Sequence, residues 1–476
     1  MKKIIISSFA VLSLISCRTD FETNLSEVTP TNGEADFSTY VALGNSLTSG
    51  YRDNALYIDA QKESYPNIIA TQMKAAGGGD FTQPLMPDNI GGFSNLGVAG
   101  KMTLKLENGA LTPVATTAES ALTTVSGSFN NMGVPGAKSF HLLAAGYGNA
   151  AGIALGRSNP YFVRFASSAT TSVLADAMAK KPTFFSLWIG NNDVLSYATS
   201  GGAGTDQTGN PNPATYGSND ITDPQVLAAS IKAVLDGMKS VGATKGVIAN
   251  IPDVTTIPFF TTVPSKPISG LTSVQVTALN TAYAEYNKGL AQIKALGAIT
   301  EAEYQQRLIS FSETGSNGAV IIDSDLTNLS AYKIPSYRQT TSEDYILLTS
   351  LSAIRSGGGT QTALTNAQVL TQKEVAKIAT ATAAYNAAIK SLADAYGLAF
   401  VDANAKMKEL SSGMIFNGTA YTATFVSGGA FSLDGVHLTG RGYAVIANEF
   451  IKAINSTYGS TLRQVNPNRY SGVTFP

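Results

Sequence analysis

The sequence has only one cysteine, two histidines and one tryptophan among its 476 residues. A single cysteine excludes a disulfide within the chain, and two histidines leave only two choices for a histidine base. Lysine and arginine total 32 while aspartate and glutamate total 33, so the chain has no basic surplus to neutralise phosphates. We therefore expect no nucleic acid partner.

A mostly apolar run at residues 4–15 follows two lysines near the N-terminus. It is shorter than the roughly 20 residues that span a bilayer, but it has the length of a signal-peptide core. The run ends in Leu-Ile-Ser-Cys at residues 14–17, which resembles the lipobox of bacterial lipoproteins, where the cysteine is lipidated. This resemblance predicts a signal peptide over residues 1–16 and a lipid anchor on Cys17. Ordinary secretion with an incidental cysteine is the alternative.

The residues after the cysteine are polar and show no apolar period. They predict a flexible tether over residues 17–36, followed by a folded part over residues 37–476. In Gram-negative lipoproteins the residue after the cysteine influences sorting, and Arg18 does not resemble an inner-membrane retention signal. We therefore expect a lipid-anchored protein of the bacterial cell envelope, at the outer membrane.

Short apolar runs that stop at glycine or polar residues predict buried strands. They lie at residues 40–43, 184–189, 247–251 and 398–401. Helical patterns lie between and after these runs: one begins after Asp223 and Pro224, one covers residues 373–396, and one is striped by Tyr443, Ile446, Phe450 and Ile454. This alternation predicts an α/β fold with a parallel sheet, helices on both faces, and a ligand site beyond the carboxyl ends of the strands.

Three segments exceed a minimal version of this fold, near residues 80–128, 201–222 and 256–371. We interpret them as insertions that shape a substrate pocket. At 476 residues the chain is long enough for one elaborated domain or for two, and the sequence leaves both open.

Two segments carry residues suited to serine-dependent hydrolysis. Ser46 lies in a Gly-Asn-Ser sequence directly after the first predicted strand, where a sharp turn would expose it at the edge of the sheet. Asp434 precedes His437 by three residues, so one turn can direct both side chains at a single point. The carboxylate would orient the imidazole, and the imidazole would take the serine proton. The other histidine, His141, has no such partner, and we expect it to be packed or at the surface.

Two further segments could supply donors to an oxyanion. Residues 190–193, Gly-Asn-Asn-Asp, follow a predicted strand and offer a side-chain amide, although a simple turn is the alternative. Residues 131–136, which contain two glycines, could offer a backbone N–H group.

Taken together and in this order, the four segments resemble blocks I, II, III and V of the SGNH/GDSL hydrolase family. The resemblance implies a three-layer α/β/α sandwich with a mostly parallel, flavodoxin-like sheet. It implies Ser46 as the nucleophile, His437 as the base and Asp434 as the residue that orients it. It also implies that Gly136 and Asn192, with the N–H group of Ser46, form the oxyanion hole.

Two positions depart from the family pattern or leave it ambiguous. The family's name-giving aspartate is Asn45 here, which keeps the size and hydrogen-bonding capacity but not the charge. Residues 95–100 repeat almost the pattern of residues 131–136, so Gly100 competes with Gly136 as the oxyanion glycine. We favour Gly136 because the residues around it match the sequence pattern of the family better.

The resemblance implies an ester hydrolase, and the substrate would be an acyl ester of a lipid or an acylated glycan. We expect no cofactor and no metal, because a zinc site with two distant histidines would depend on carboxylates, which is unusual. The sequence leaves open whether the Asp- and Asn-rich loops bind a calcium ion. The competing interpretation is a catalytically inactive surface lipoprotein that uses the same fold to bind glycan or protein.

Overall fold

The structure is a computed structural model that describes residues 29–107 and 109–476. The predicted signal peptide, the lipidation site at Cys17 and most of the predicted tether lie outside the described residues. Within them, none of the helices combines the length and hydropathy that a bilayer-spanning helix requires.

The strands of the described residues are β1 (Tyr40–Gly44), β2 (Met102–Glu107), β3 (Ala110–Ala115), β4 (Asn131–Gly133), β5 (Phe184–Trp188), β6 (Lys245–Ala249), β7 (Ile268–Ser269), β8 (Ser316–Asn317), β9 (Val320–Ile322), β10 (Tyr337–Gln339), β11 (Tyr345–Ile346), β12 (Val369–Leu370), β13 (Ala399–Val401), β14 (Met414–Phe416) and β15 (Thr419–Tyr421). Their α-helices are α1 (Ser46–Ser49), α2 (Ile58–Lys62), α3 (Tyr65–Ala75), α4 (Pro160–Val163), α5 (Val173–Ala179), α6 (Asn192–Thr199), α7 (Pro224–Ser240), α8 (Pro258–Thr261), α9 (Ser273–Ala295), α10 (Glu301–Arg307), α11 (Leu351–Arg355), α12 (Gln372–Ala395), α13 (Ala403–Ser412) and α14 (Gly440–Tyr458).

The central sheet has five strands in the order β13-β6-β5-β1-β4, and every pairing in it is parallel. In chain order this is the flavodoxin-like arrangement, whose ligand site lies where the direction of strand addition reverses, between β1 and β5. The predicted α/β fold with a parallel, flavodoxin-like sheet is therefore confirmed. The prediction lacked β4, because a three-residue strand is too short to show a hydrophobic period.

Successive side chains of each strand point to opposite faces of the sheet, which gives two cores. Val41 and Leu43 of β1 belong to a core with residues of α5, α7 and α12. Tyr40 and Ala42 belong to the other core, with residues of α3 and α14. The sheet is thus covered by helices on both faces, and the predicted three-layer sandwich is confirmed.

The element boundaries agree with the predictions to within about two residues. The helix predicted after Asp223 is α7, and the Asp223 carboxylate caps it by accepting from the N–H groups of Gln225 and Val226. The strand predicted at residues 247–251 begins and ends two residues earlier, as β6.

The three predicted insertions differ in structure. Residues 80–128 contain the hairpin of β2 and β3, and residues 201–222 contain no α-helix or strand. Residues 256–371 contain four α-helices, six short strands and three apolar clusters of their own. The domain boundaries stay a prediction.

Candidate active site

Ser46 lies at a sharp turn from strand to helix. β1 ends at Gly44 and α1 begins at Ser46, so only Asn45 separates them. A Cβ atom at Gly44 would overlap Thr48 Oγ1 and the backbone oxygen of Trp188, so only glycine fits this position. The turn places Ser46 at the carboxyl edge of the sheet, as its position in the sequence predicts.

The structure brings together the three residues predicted to perform the chemistry. Ser46 Oγ lies 2.9 Å from His437 Nε2, and His437 Nδ1 lies 2.8 Å from Asp434 Oδ2. Gly435 makes the intervening turn with φ of +71°, and a Cβ there would lie 2.9 Å from Leu348 Cδ2. Imidazole, carboxylate and hydroxyl therefore form one continuous hydrogen-bonded chain.

Asp434 is buried and surrounded by donors. Its Oδ1 accepts from the N–H groups of Val436 and His437, both at 2.8 Å, and from the Ser432 hydroxyl at 3.1 Å. Burial alone would raise the pKa of Asp434, but the imidazole of His437 and these N–H groups hold that pKa well below its ordinary value. The carboxylate is therefore ionised at neutral pH and can stabilise a protonated imidazole.

His141 lies outside this arrangement. Its Nδ1 accepts from the N–H group of Lys138 at 3.0 Å, and its ring stacks on Tyr147 with centroids 4.6 Å apart. Burial, followed by the charge of Lys138, lowers the pKa of His141 to about 4. This histidine is a neutral packing residue, which agrees with the expectation.

The predicted oxyanion donors follow adjacent strands of the sheet. Ser46 is the first residue of α1, Gly136 follows β4, and Asn192 is the first residue of α6, the helix that follows β5. Gly136 is exposed and has φ of +81°, and its N–H group has no acceptor among the described residues. Asn192 Nδ2 donates to the backbone oxygen of Ala137 at 2.9 Å, which leaves its second N–H for another acceptor.

The structure separates the two candidate glycines. Gly100 is buried, and its N–H group donates to the backbone oxygen of Thr116 at 2.9 Å, beside the β2–β3 hairpin. Gly136 follows β4, whose last residue pairs with the last residue of β1. Only Gly136 therefore has a free N–H group at the edge of the sheet that carries Ser46.

A buried carboxylate that was not singled out in the sequence ties the oxyanion segments together. Asp193 accepts from the N–H group of Ser139 at 2.8 Å and from its hydroxyl at 2.6 Å. Burial raises the pKa of Asp193. These bonds join the segment that contains Gly136 to the helix that begins with Asn192.

The neutral amide of Asn45 both accepts and donates a hydrogen bond at the nucleophile turn. It is fully buried; its Oδ1 accepts from the N–H group of Leu47 at 3.1 Å, and its Nδ2 donates to Asn191 Oδ1 at 3.2 Å. An ionised aspartate could not donate to Asn191. The amide thus links the nucleophile turn to the segment after β5.

Sequence reasoning missed the residues that hold Asp434 and His437 from the other side. The Tyr51 ring packs against His437 with centroids 4.8 Å apart, and the N–H group of Asn54 donates to Asp434 Oδ2 at 2.9 Å. The only available signal was the Asp-Asn pair at residues 53 and 54, which is typical of tight turns.

A cleft of about 510 Å³ borders His437 and Asp434. Its wall is mostly apolar, and the apolar side chains that line it include Met102, Leu195, Phe259, Leu351, Phe425 and Val436. Met102 comes from the β2–β3 hairpin, and Phe259 and Leu351 come from residues 256–371. Two of the predicted insertions therefore form part of the pocket beside the site.

No group of three or more His, Cys, Asp or Glu side chains in residues 29–107 and 109–476 is arranged to hold a metal ion.

No family model matches the chain, and no curated protein matches it in sequence. Among solved structures, the chain is similar to a protein from Parabacteroides merdae described as a GDSL-like lipase, at 11% identity and a TM-score of 0.32, over 90% of this chain and 99% of that one. It is also similar to Axe2, an acetylxylan esterase from Geobacillus stearothermophilus, at 12% identity and a TM-score of 0.32, over 89% and 96%.

Proposed function

We propose that the protein is a serine-dependent carboxylic-ester hydrolase. The observation that carries this proposal is the continuous chain from Asp434 through His437 to Ser46, with links of 2.8 and 2.9 Å. A nucleophile, a base within hydrogen-bond reach and a buried group that orients the base are the three elements that hydrolysis through serine requires.

In the proposed reaction, Ser46 Oγ attacks the ester carbonyl while His437 Nε2 takes the hydroxyl proton. The negative charge on the carbonyl oxygen is stabilised by the N–H groups of Ser46 and Gly136 and by Asn192 Nδ2. His437 then gives its proton to the departing alcohol, which leaves an acyl-enzyme. Water, deprotonated by His437, attacks this ester, and the acid and the free serine are released.

The cleft supports an ester with an apolar part larger than an acetyl group. An apolar wall gains free energy by burying apolar substrate surface, at about 25 cal/mol per Å². A volume of about 510 Å³ exceeds what a two-carbon acyl group can fill. We therefore favour an acyl lipid or a glycan with a bulky acyl group over an acetylated glycan.

A lipid anchor at Cys17 would hold the enzyme at the bacterial envelope, at the outer membrane. This part of the proposal rests on the resemblance of residues 14–17 to a lipobox, and metabolic labelling with an alkyne fatty acid tests it. Labelling that disappears in Cys17→Ala supports the anchor, and equal labelling of both proteins contradicts it.

The hydrolase proposal is tested by labelling the purified protein with a fluorophosphonate, which reacts only with an activated serine. We expect labelling of the wild type and of His141→Ala, the matched histidine control, and none of Ser46→Ala or His437→Ala. A well-folded wild-type protein that is not labelled and does not turn over aryl esters would instead support the inactive, glycan- or protein-binding alternative.

The cleft is tested with aryl esters of increasing acyl length. We expect kcat/KM to rise from the acetate to medium-chain esters, because each buried methylene contributes about 0.8 kcal/mol. Leu351→Trp, which would fill part of the cleft, should lower medium-chain turnover more than acetate turnover. Leu296→Trp, at a leucine that is 71% exposed, is the control. Equal effects on all chain lengths would contradict the assignment of the cleft to the acyl group.

A further inference from the structure

A tight turn lies at residues 52–55, shortly after α1, the helix that begins with Ser46. Arg52 and Ala55 exchange two backbone hydrogen bonds of 3.1 and 3.0 Å, and the two central residues, Asp53 and Asn54, have φ of +52° and +59°. Two successive non-glycine residues in the left-handed region cost conformational free energy, although Asp and Asn bear it better than other residues. The surrounding contacts must therefore hold this turn in place.

The turn is bonded directly to the segment that contains Asp434. The N–H group of Asn54 donates to Asp434 Oδ2 at 2.9 Å, and the N–H group of Asp53 donates to Ser432 Oγ at 2.9 Å. In return, the N–H group of Leu433 donates to Asp53 Oδ1 at 3.0 Å. The Ser432 hydroxyl in turn donates a hydrogen bond to Asp434 Oδ1 at 3.1 Å. Both oxygens of Asp434 are thus fixed, directly or through one serine, by this turn.

The Asp53 carboxylate is itself supported from behind. Its Oδ2 accepts from the Tyr57 hydroxyl at 2.7 Å, and that hydroxyl accepts from Arg52 Nε at 2.7 Å. The buried Arg52 is paired with Glu63 at 2.6 Å. Asp53 is thus the link between a partly buried ion pair and the loop that holds Asp434.

Asp53 joins the two segments through both oxygens of its carboxylate. Burial raises the pKa of Asp53, and repulsion from Asp434 adds to this rise, while the Tyr57 and Leu433 hydrogen bonds and the charge of Arg52 oppose it. A neutral side chain would join the two segments without this repulsion. Only a carboxylate can accept from Leu433 and Tyr57 at once with both oxygens.

We propose that Asp53 is a positioning residue, which holds Asp434 in the orientation that its hydrogen bond to His437 requires. The proposal rests on the proposed function, since the importance of this orientation lies in the proton transfer from Ser46. Asp53 touches neither the His437 imidazole nor Ser46. It acts on Asp434 through the turn at residues 52–55 and through Ser432 and Leu433.

Kinetics provide the first test. Asp53→Ala should lower kcat by about 10- to 100-fold, as expected when a catalytic group is displaced by a fraction of an ångström, with KM unchanged. Asp53→Asn, which keeps one acceptor for Leu433, should restore most of the activity. Asp59→Ala, at an exposed carboxylate six residues further on, should leave kcat unchanged.

A double-mutant comparison separates positioning from a general structural role. If Asp53 acts through Asp434, then Asp53→Ala should lower kcat no further in a protein that already carries Asp434→Ala. If the two reductions multiply, Asp53 acts elsewhere and the proposal is wrong.

Nuclear magnetic resonance provides a test that does not depend on activity. The chain has only two histidines, so histidine labelled with ¹⁵N gives two sets of imidazole signals, which His141→Ala assigns. We expect a low-field proton on His437 Nδ1, bonded to Asp434, that Asp53→Ala weakens or shifts while Asp59→Ala does not. An unchanged proton in folded Asp53→Ala overturns the proposal. An inactive wild type with this response would contradict the hydrolase function but not the positioning role.

Discussion

The two ends of the site each contain a buried aspartate, but the two carboxylates differ in what they face. Asp434 lies against the imidazole of His437, and its pKa is well below the ordinary value. Asp193 faces the N–H and hydroxyl groups of Ser139, touches neither Ser46 nor His437, and has a pKa raised by burial.

The difference shows how one residue type takes two roles. At Asp434 the imidazole of His437 and several N–H donors outweigh the cost of burial, whereas at Asp193 the Ser139 donors and the charge of Lys138 do not. The first carboxylate is therefore suited to stabilise charge that appears during a reaction. The second is suited to join two segments of the backbone, those that carry Gly136 and Asn192.

The strongest test of this contrast replaces each aspartate by asparagine. Asp434→Asn should lower kcat by about 10⁴-fold, because the amide cannot hold the imidazole in the required tautomer or stabilise its charge. Asp193→Asn should lower kcat far less, since Asp193 contacts no reacting group. Steady-state kinetics on an aryl ester measure both, and similar losses in kcat would abolish the distinction.

A second test addresses the oxyanion end alone. Asn192→Ala should lower kcat by about 10²- to 10³-fold with little change in KM, because the amide is proposed to act only in the transition state. Ser200→Ala, just beyond the other end of α6, is the matched control. A loss confined to KM would assign Asn192 to substrate binding instead.

Two buried serines allow a finer comparison. Ser432 donates to Asp434 and Ser139 donates to Asp193. Each change to alanine should lower the free energy of unfolding by about 1.5–3 kcal/mol, the usual contribution of a hydrogen bond to a charged group. Only Ser432→Ala should also lower kcat clearly, because it disturbs the carboxylate that contacts His437. Denaturant titration and kinetics on the same samples measure the two effects, and an equal loss of kcat would contradict the prediction.

The smallest expected effect is on stability: the contributions of Asp434 and Asp193 to the free energy of unfolding should change with pH in opposite directions. Because its pKa is lowered on folding, Asp434 contributes stability that is present above the ordinary value of 3.8 and is lost as the pH falls below it. Because its pKa is raised, Asp193 contributes stability that is lost as the pH rises above that value.

Unfolding free energies at about pH 3 and about pH 6 test this prediction, since the window spans the ordinary aspartate value. The gain in stability between the two should be smaller in Asp434→Asn than in the wild type and larger in Asp193→Asn. A change of the same sign in both variants would show that the two carboxylates have similar environments.

The sequence was sufficient for features that depend on local pattern. Apolar runs identified four strands of the central sheet, and the three-residue spacing of Asp434 and His437 identified a pair that one turn can bring together. Gly44 and Ser46 could be recognised because a turn after a buried strand has local requirements for backbone and side chain. β4 was missed because three residues carry no period.

Only the tertiary structure decided the features that join distant segments. Asn54 and Asp434 are 380 positions apart, and their hydrogen bond depends on how the turn at residues 52–55 meets the loop before α14. Strand pairing places Gly136 after the strand that adjoins β1, and the packing of two insertions forms the cleft. Local pattern determines which residues can carry the chemistry, whereas long-range packing determines which groups hold them and which surfaces surround them.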